Sequence, residues 1–174
     1  MPTLQSVGTW RCVEEVGLAY YKDLGEINYF GNSAAKVLRA VGWLSAGEEV
    51  PRGPTEIADF RLLCEHLANA WQRSIFLGWH ECEFCTFSGG PSSTQYEDIT
   101  IPIGTRNLFL PAGDCIIVAP STIAHYIDAH QYAPPQKFWE ALRTCPTQRS
   151  MAYKRALLEA GGRHLLERPG RKEV

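Results

Sequence analysis

The stretch Ile99-Thr100-Ile101-Pro102-Ile103-Gly104-Thr105-Arg106-Asn107-Leu108-Phe109-Leu110-Pro111-Ala112-Gly113-Asp114-Cys115-Ile116-Ile117-Val118 decides the fold. It holds three short apolar runs, Ile99 to Ile103, Asn107 to Leu110 and Cys115 to Val118. β-Branched and aromatic side chains suit a pleated, half-buried surface, while the intervening Gly, Pro and Asp residues supply turns. Connections of three or four residues cannot hold the crossover that parallel neighbours need, so the runs are expected to pair antiparallel.

Helical patterns flank this stretch on both sides. Beyond it, Ser121 is placed to cap a helix that turns Ile123 and Ile127 inward. Tyr132-Ala133-Pro134-Pro135 stops that helix and starts a second, Gln136 to Arg143. Ser150 caps a third, which Gly161-Gly162 ends. Before it, Ile57, Phe60, Cys64, Leu67 and Trp71 step by three and four along one helical stripe, with Pro54 in the first turn and an end near Gln72 to Ser74. Ile75 to His80 reads as a strand and Ser88 to Ser93 as a loop. Ser33 to Leu44 has a helical rhythm in Ala34, Val37, Leu38, Val41 and Leu44, and Pro51-Arg52-Gly53-Pro54 breaks the chain. The expected fold class is α+β, a small antiparallel sheet with several packed helices in a single domain. Residues 1–40 read as an N-terminal mixed segment, 41–160 as the α+β domain and 161–174 as a C-terminal tail.

A chain of 174 residues that is 45% hydrophobic and 21% charged buries a full core without needing a metal to complete it. Formal net charge is −2, and basic residues are scattered outside Arg163 to Lys172, which argues against nucleic acid as a partner. No apolar run approaches the roughly 20 residues of a membrane span, and no basic, apolar leader follows Met1. A cytoplasmic location is therefore expected. In that setting Cys12, Cys64, Cys82, Cys85, Cys115 and Cys145 are not a disulfide framework. Cys64 and Cys115 read as small buried hydrophobes.

Cys82 and Cys85 differ, because a Cys-x-x-Cys lets two thiolates approach one ion from a tight turn. His80 stands two residues earlier, on the same side of an extended segment. His125 and His130 lie further on, in Ile123-Ala124-His125-Tyr126-Ile127-Asp128-Ala129-His130. Thiolate plus imidazole is the donor mixture that Zn2+ prefers, in a site expected to join sheet to helix. Two ligand sets are open. One is His80, Cys82, Cys85 and one distal histidine; the other is Cys82, Cys85, His125 and His130. Residues five apart on an ideal helix diverge by about 140°. The first set is therefore slightly preferred, with His130, which shares a face with Ile123 and Ile127, ahead of His125. A helix that tightens or ends near Asp128 would bring both histidines together.

Flanking Glu81 and Glu83 would raise a thiol pKa, which disfavours a redox pair. A catalytic zinc needs an open position and a base, for which Glu81, Glu83 and Asp128 are the candidates. Asp128 could instead orient a histidine through its second ring nitrogen. No His-Glu-x-x-His is present, and His80-Glu81-Cys82 does not match the spacing of zinc deaminases. His66 and His164 read as surface or packing residues. A structural zinc is favoured over a catalytic one.

Gly78-x-His80-x-Cys82-x-x-Cys85, Asn107-Leu108-Phe109-Leu110-Pro111, Ala119-Pro120, Ile123-x-His125-Tyr126-Ile127-x-x-His130-x-Tyr132-x-Pro134-Pro135 and Cys145-Pro146 together resemble an uncharacterised bacterial domain family, over roughly Val41 to Leu158. The resemblance implies that the Cys and His positions matter and that the source is bacterial; it implies no substrate. The expected function is a zinc-binding domain with a structural metal that contacts a protein partner, in a toxin–antitoxin or immunity setting. A small zinc-dependent hydrolase is the alternative.

Overall fold

The last of the three apolar runs becomes the middle strand of a three-stranded sheet. The structure, a computed structural model, describes residues 20–28, 30, 36–72 and 81–167. Strand β5 (Cys115–Pro120) is buried along its whole length. It pairs antiparallel with β4 (Asn107–Ala112) and parallel with β1 (Leu38–Ala40). Between β4 and β5, Ala112 faces Cys115 across a two-residue loop in which Gly113 takes φ +72°. Two-residue hairpins need a positive φ of this kind, which glycine adopts without steric cost. Ile99–Pro102 forms β3, which pairs not with β4 but with Ser93–Tyr96, β2, in a separate antiparallel hairpin. The polar β2 is half exposed and carries no apolar alternation, which is why composition presents Ser93 as the end of a loop.

Alternation along β4 and β5 divides the buried residues into two cores. Leu108, Leu110, Ile117 and Ala119 face one way and Phe109, Ile116 and Val118 the other. Helices α1 (Ile57–Ala68), α2 (Ile123–His130) and α3 (Gln136–Thr144) cover the first face. Helices α4 (Met151–Glu159) and α5 (Arg163–Leu166) cover the second, where Ile27, Leu38, Ala40 and Trp43 also pack. Burial on both faces makes β5 a continuous apolar run. Two hydrogen bonds tie the layers: Trp43 Nε1 donates to the Val118 carbonyl at 3.0 Å and Tyr153 Oη to the Phe109 carbonyl at 2.8 Å.

Four local expectations change. Of Ser33 to Leu44, residues 36–44 form a turn, β1 and an irregular segment, not a helix; residues 33–35 lie outside the described residues. Val37, Leu38, Ala40 and Val41 are apolar because β1 is sandwiched between the cores, a pattern that periodicity alone does not separate from a helix face. Helix α1 starts at Ile57, after Pro54, and ends at Ala68, ahead of Gln72. Ile57, expected to face inward, is 77% exposed because the first turn runs past the core. Ser121 does not cap α2: Thr122 holds the N-cap position, and neither hydroxyl has a partner among the described residues. Ser150 does cap α4, accepting from the Tyr153 N–H at 3.0 Å, and Gly161 follows that helix with φ +84°. Residues 75–80 lie outside the described residues. Among the described residues, no helix is long and apolar enough to cross a membrane.

Candidate metal centre

The loop from Cys82 to Gly90 folds back on itself twice. The Cys85 N–H donates to the Cys82 carbonyl at 3.1 Å, and the Gly89 N–H to the Cys85 carbonyl at 2.9 Å. The Cys82 N–H closes the loop on the Gly89 carbonyl. This winding directs the backbone N–H groups of Phe84 and Cys85 at the Cys82 sulfur, where they favour a thiolate. Two glycines make the closure feasible. Gly90 has φ +85°, and a Cβ there would stand 2.8 Å from the Cys82 Cβ. Gly89 has φ +64°, and its Cβ would meet the Glu81 carboxylate at 2.8 Å.

Helix α2 supplies both histidines. The helix neither tightens nor stops at Asp128; it runs to His130 and then widens. The Gln131 N–H bonds to the Tyr126 carbonyl, five residues back, and the Tyr132 N–H bonds to the same carbonyl. Gln131 takes the left-handed conformation, φ 56°. The wide turn therefore closes the helix immediately behind His130, its last residue. The imidazole centroids are 5.0 Å apart with the rings nearly perpendicular. The two histidines are therefore not competitors. His125, not His130, is also the more buried of the two.

The loop and the helix end meet. The Cys82 and Cys85 sulfurs and a ring nitrogen from each of His125 and His130 all lie within 4.8 Å of one another. His130 Nε2 is 3.3 Å from Cys82 Sγ and 3.4 Å from Cys85 Sγ, and His125 Nε2 is 3.3 Å from Cys85 Sγ. Thiolate and imidazole bound tetrahedrally at usual zinc distances leave sulfur–nitrogen edges of about 3.5 Å. Three of the donor–donor distances match such edges, so the cluster is a possible metal site. Their protonation suits the same role. Burial, then the neighbouring His130, lowers the His125 pKa; burial, then Arg52, lowers that of His130. Both rings are held neutral, with lone pairs available. Burial pushes the Cys82 thiol up to about 11, opposed by the two N–H groups. Such a thiol is no low-pKa redox nucleophile; a cation is what would favour its ionised form.

The remaining candidates fall elsewhere. His80 lies outside the described residues. The Glu83 carboxylate is engaged: it accepts from Ser45 Oγ at 3.0 Å and from the Ala46 N–H at 2.8 Å. Glu81 is exposed beside Gly89. Asp128 is exposed and, among the described residues, bonds to neither histidine. His66 is a buried packing residue, 3.3 Å from Gln148 Nε2. Sequence reasoning missed Gly89 and Gly90, whose signal is the glycine pair shortly after the second cysteine. It also missed Phe84, whose ring lies 5.3 Å from that of His130 and 5.7 Å from that of Tyr126.

Comparison with curated proteins and with solved structures returned no match. A family match spans residues 19–143, taking in all four clustered donors and reaching further towards the N-terminus than the sequence motifs do. The chain belongs to the uncharacterised family described as Domain of unknown function (DUF7919).

Proposed function

We propose that Cys82, Cys85, His125 and His130 hold a zinc ion with a structural role, which clamps the 82–90 loop to the end of α2. The observation that carries this reading is the convergence of two sulfurs and two ring nitrogens within 4.8 Å from segments 40 residues apart. Zinc is favoured because two thiolates and two imidazoles in tetrahedral array are its usual structural ligands. A structural role is favoured because four protein donors complete that shell, while Glu83, one of the candidate bases, is already bonded. The hydrolase alternative finds no such support.

The clamped loop carries Phe87, which is fully exposed. An aromatic held outward on a braced loop suits contact with a protein partner, and we assign the domain that role. Metal analysis of the purified protein tests the core of the proposal. We expect about one equivalent of zinc in the wild type and a large loss in Cys82→Ser and Cys85→Ser. Unchanged zinc in both variants would refute it.

A further inference from the structure

Helix α2 presents its other side to a cleft of about 540 Å3 between the first turn of α1, the end of α2 and the β2–β3 hairpin. The volume lies within the usual range of small-ligand sites. Its walls are largely apolar. Ile57 stands 77% exposed on one side, Phe60 and Tyr96 meet edge to face at 5.0 Å, and Ile127 of α2 forms part of the opposite wall. Scattered exposed side chains are ordinary, but an exposed isoleucine lining a concave aromatic surface is not.

Two opposite charges line the same cleft, Arg52 and Asp128. Among the described residues they form no ion pair with each other. The Arg52 guanidinium donates through one nitrogen to the His130 carbonyl at 3.2 Å, which anchors it and leaves its other donors free among the described residues. Asp128 is exposed and has no hydrogen bond among them. The backbone helps hold Arg52 in place: it bridges to Tyr132, and the Gly53 N–H donates to the Gln131 carbonyl at 3.0 Å.

We propose that this cleft binds a short zwitterionic peptide with apolar side chains. Its carboxylate pairs with Arg52, its ammonium with Asp128, and its side chains cover Ile57, Phe60 and Tyr96. An uncharged apolar ligand would desolvate both charges without pairing them, and a simple anion would leave Asp128 unpaired; a zwitterion satisfies both. A single amino acid would leave much of the cleft empty, which favours a dipeptide or slightly longer chain.

Calorimetric titration of the full chain, as purified, with leucyl-phenylalanine, its N-acetyl derivative and its C-terminal amide tests the assignment. We expect the free dipeptide to bind and each capped form to bind about tenfold or more weakly. Asp128→Asn should weaken the free dipeptide by a similar factor and leave the N-acetyl form unchanged; Arg52→Gln should do the same with respect to the amide. Asp128 is exposed and unbonded, so its variant should fold, and matching thermal midpoints without ligand would verify that. Equal affinity for the acetylated and free dipeptides, wild-type affinity in Asp128→Asn, or no binding at about 10 mM would overturn the proposal.

Discussion

Gly90 stands against Cys82, a donor of the proposed metal site, with no room for a side chain. A methyl group there would meet the Cys82 Cβ at 2.8 Å, in a left-handed conformation that disfavours any L side chain. We expect Gly90→Ala to cost about 2 kcal/mol of stability and to lower metal content, because relieving the contact displaces Cys82. Melting and zinc content equal to those of the wild type would show that the loop is not tight. A second residue-scale device lies beside the last helical turn. Asp23 accepts from Tyr132 Oη at 2.9 Å and from the Gly42 N–H at 3.0 Å. Burial, the largest influence, holds its carboxyl above the ordinary value of 3.8 despite those bonds. A raised folded-state pKa means that the folded chain keeps this proton to higher pH than the unfolded chain. The associated stability is full in acid and is lost as pH rises through the raised value. Asp23→Asn is therefore expected to melt above the wild type at pH 7, with the gap closing as pH falls towards 3.8. A gap that widens in acid would contradict this.

At the scale of elements, the end of α2 decides the site. Gln131 occupies a left-handed position that costs a non-glycine residue energy. Gln131→Gly should stabilise the protein by about 0.5–1 kcal/mol while keeping the metal, since the widened turn depends on backbone bonds to Tyr126. A large loss of stability would mean that the Gln131 side chain, not its backbone, holds the turn. The end of α2 also marks where sequence reasoning stopped. The spacing of His125 and His130 falls within the range of paired zinc ligands, and that was readable. Whether both reach one ion depends on how the last turns of α2 meet the 82–90 loop in space, and no side chain in 123–131 announces that meeting. The same holds for β1: a three-residue strand buried on both faces carries no period of its own. By contrast, the strands β4 and β5, the cap Ser150 and the terminator Gly161 were legible, because turn and cap chemistry is local.

Over the whole molecule, the proposed metal would brace one of the two cores flanking the central sheet more than the other. The donors belong to the side packed by α1, α2 and α3, where Cys82 is itself a core member. The side packed by α4 and α5 has its own buried cluster, with Tyr153 bonded to β4. Chelation should lower the thermal midpoint, because an ion bound only by the native state adds stability. Hydrogen exchange after metal removal should show protection lost first in residues 82–92 and α2, while β4, β5 and α4 remain protected. An unchanged midpoint after complete metal removal would count against the structural role, and simultaneous loss of protection everywhere would show a single cooperative unit.

Periodicity, turn residues and ligand spacing act over a few positions, so the α+β class, the hairpin of β4 and β5 and the residue types of the candidate centre are readable from local pattern. That His125 and His130 both join Cys82 and Cys85, that Glu83 is engaged by the turn at Ser45, and that Ile57 faces a cleft and not the core emerges from the folded chain alone. Each of these depends on segments far apart in the chain meeting in space, which side-chain pattern does not encode.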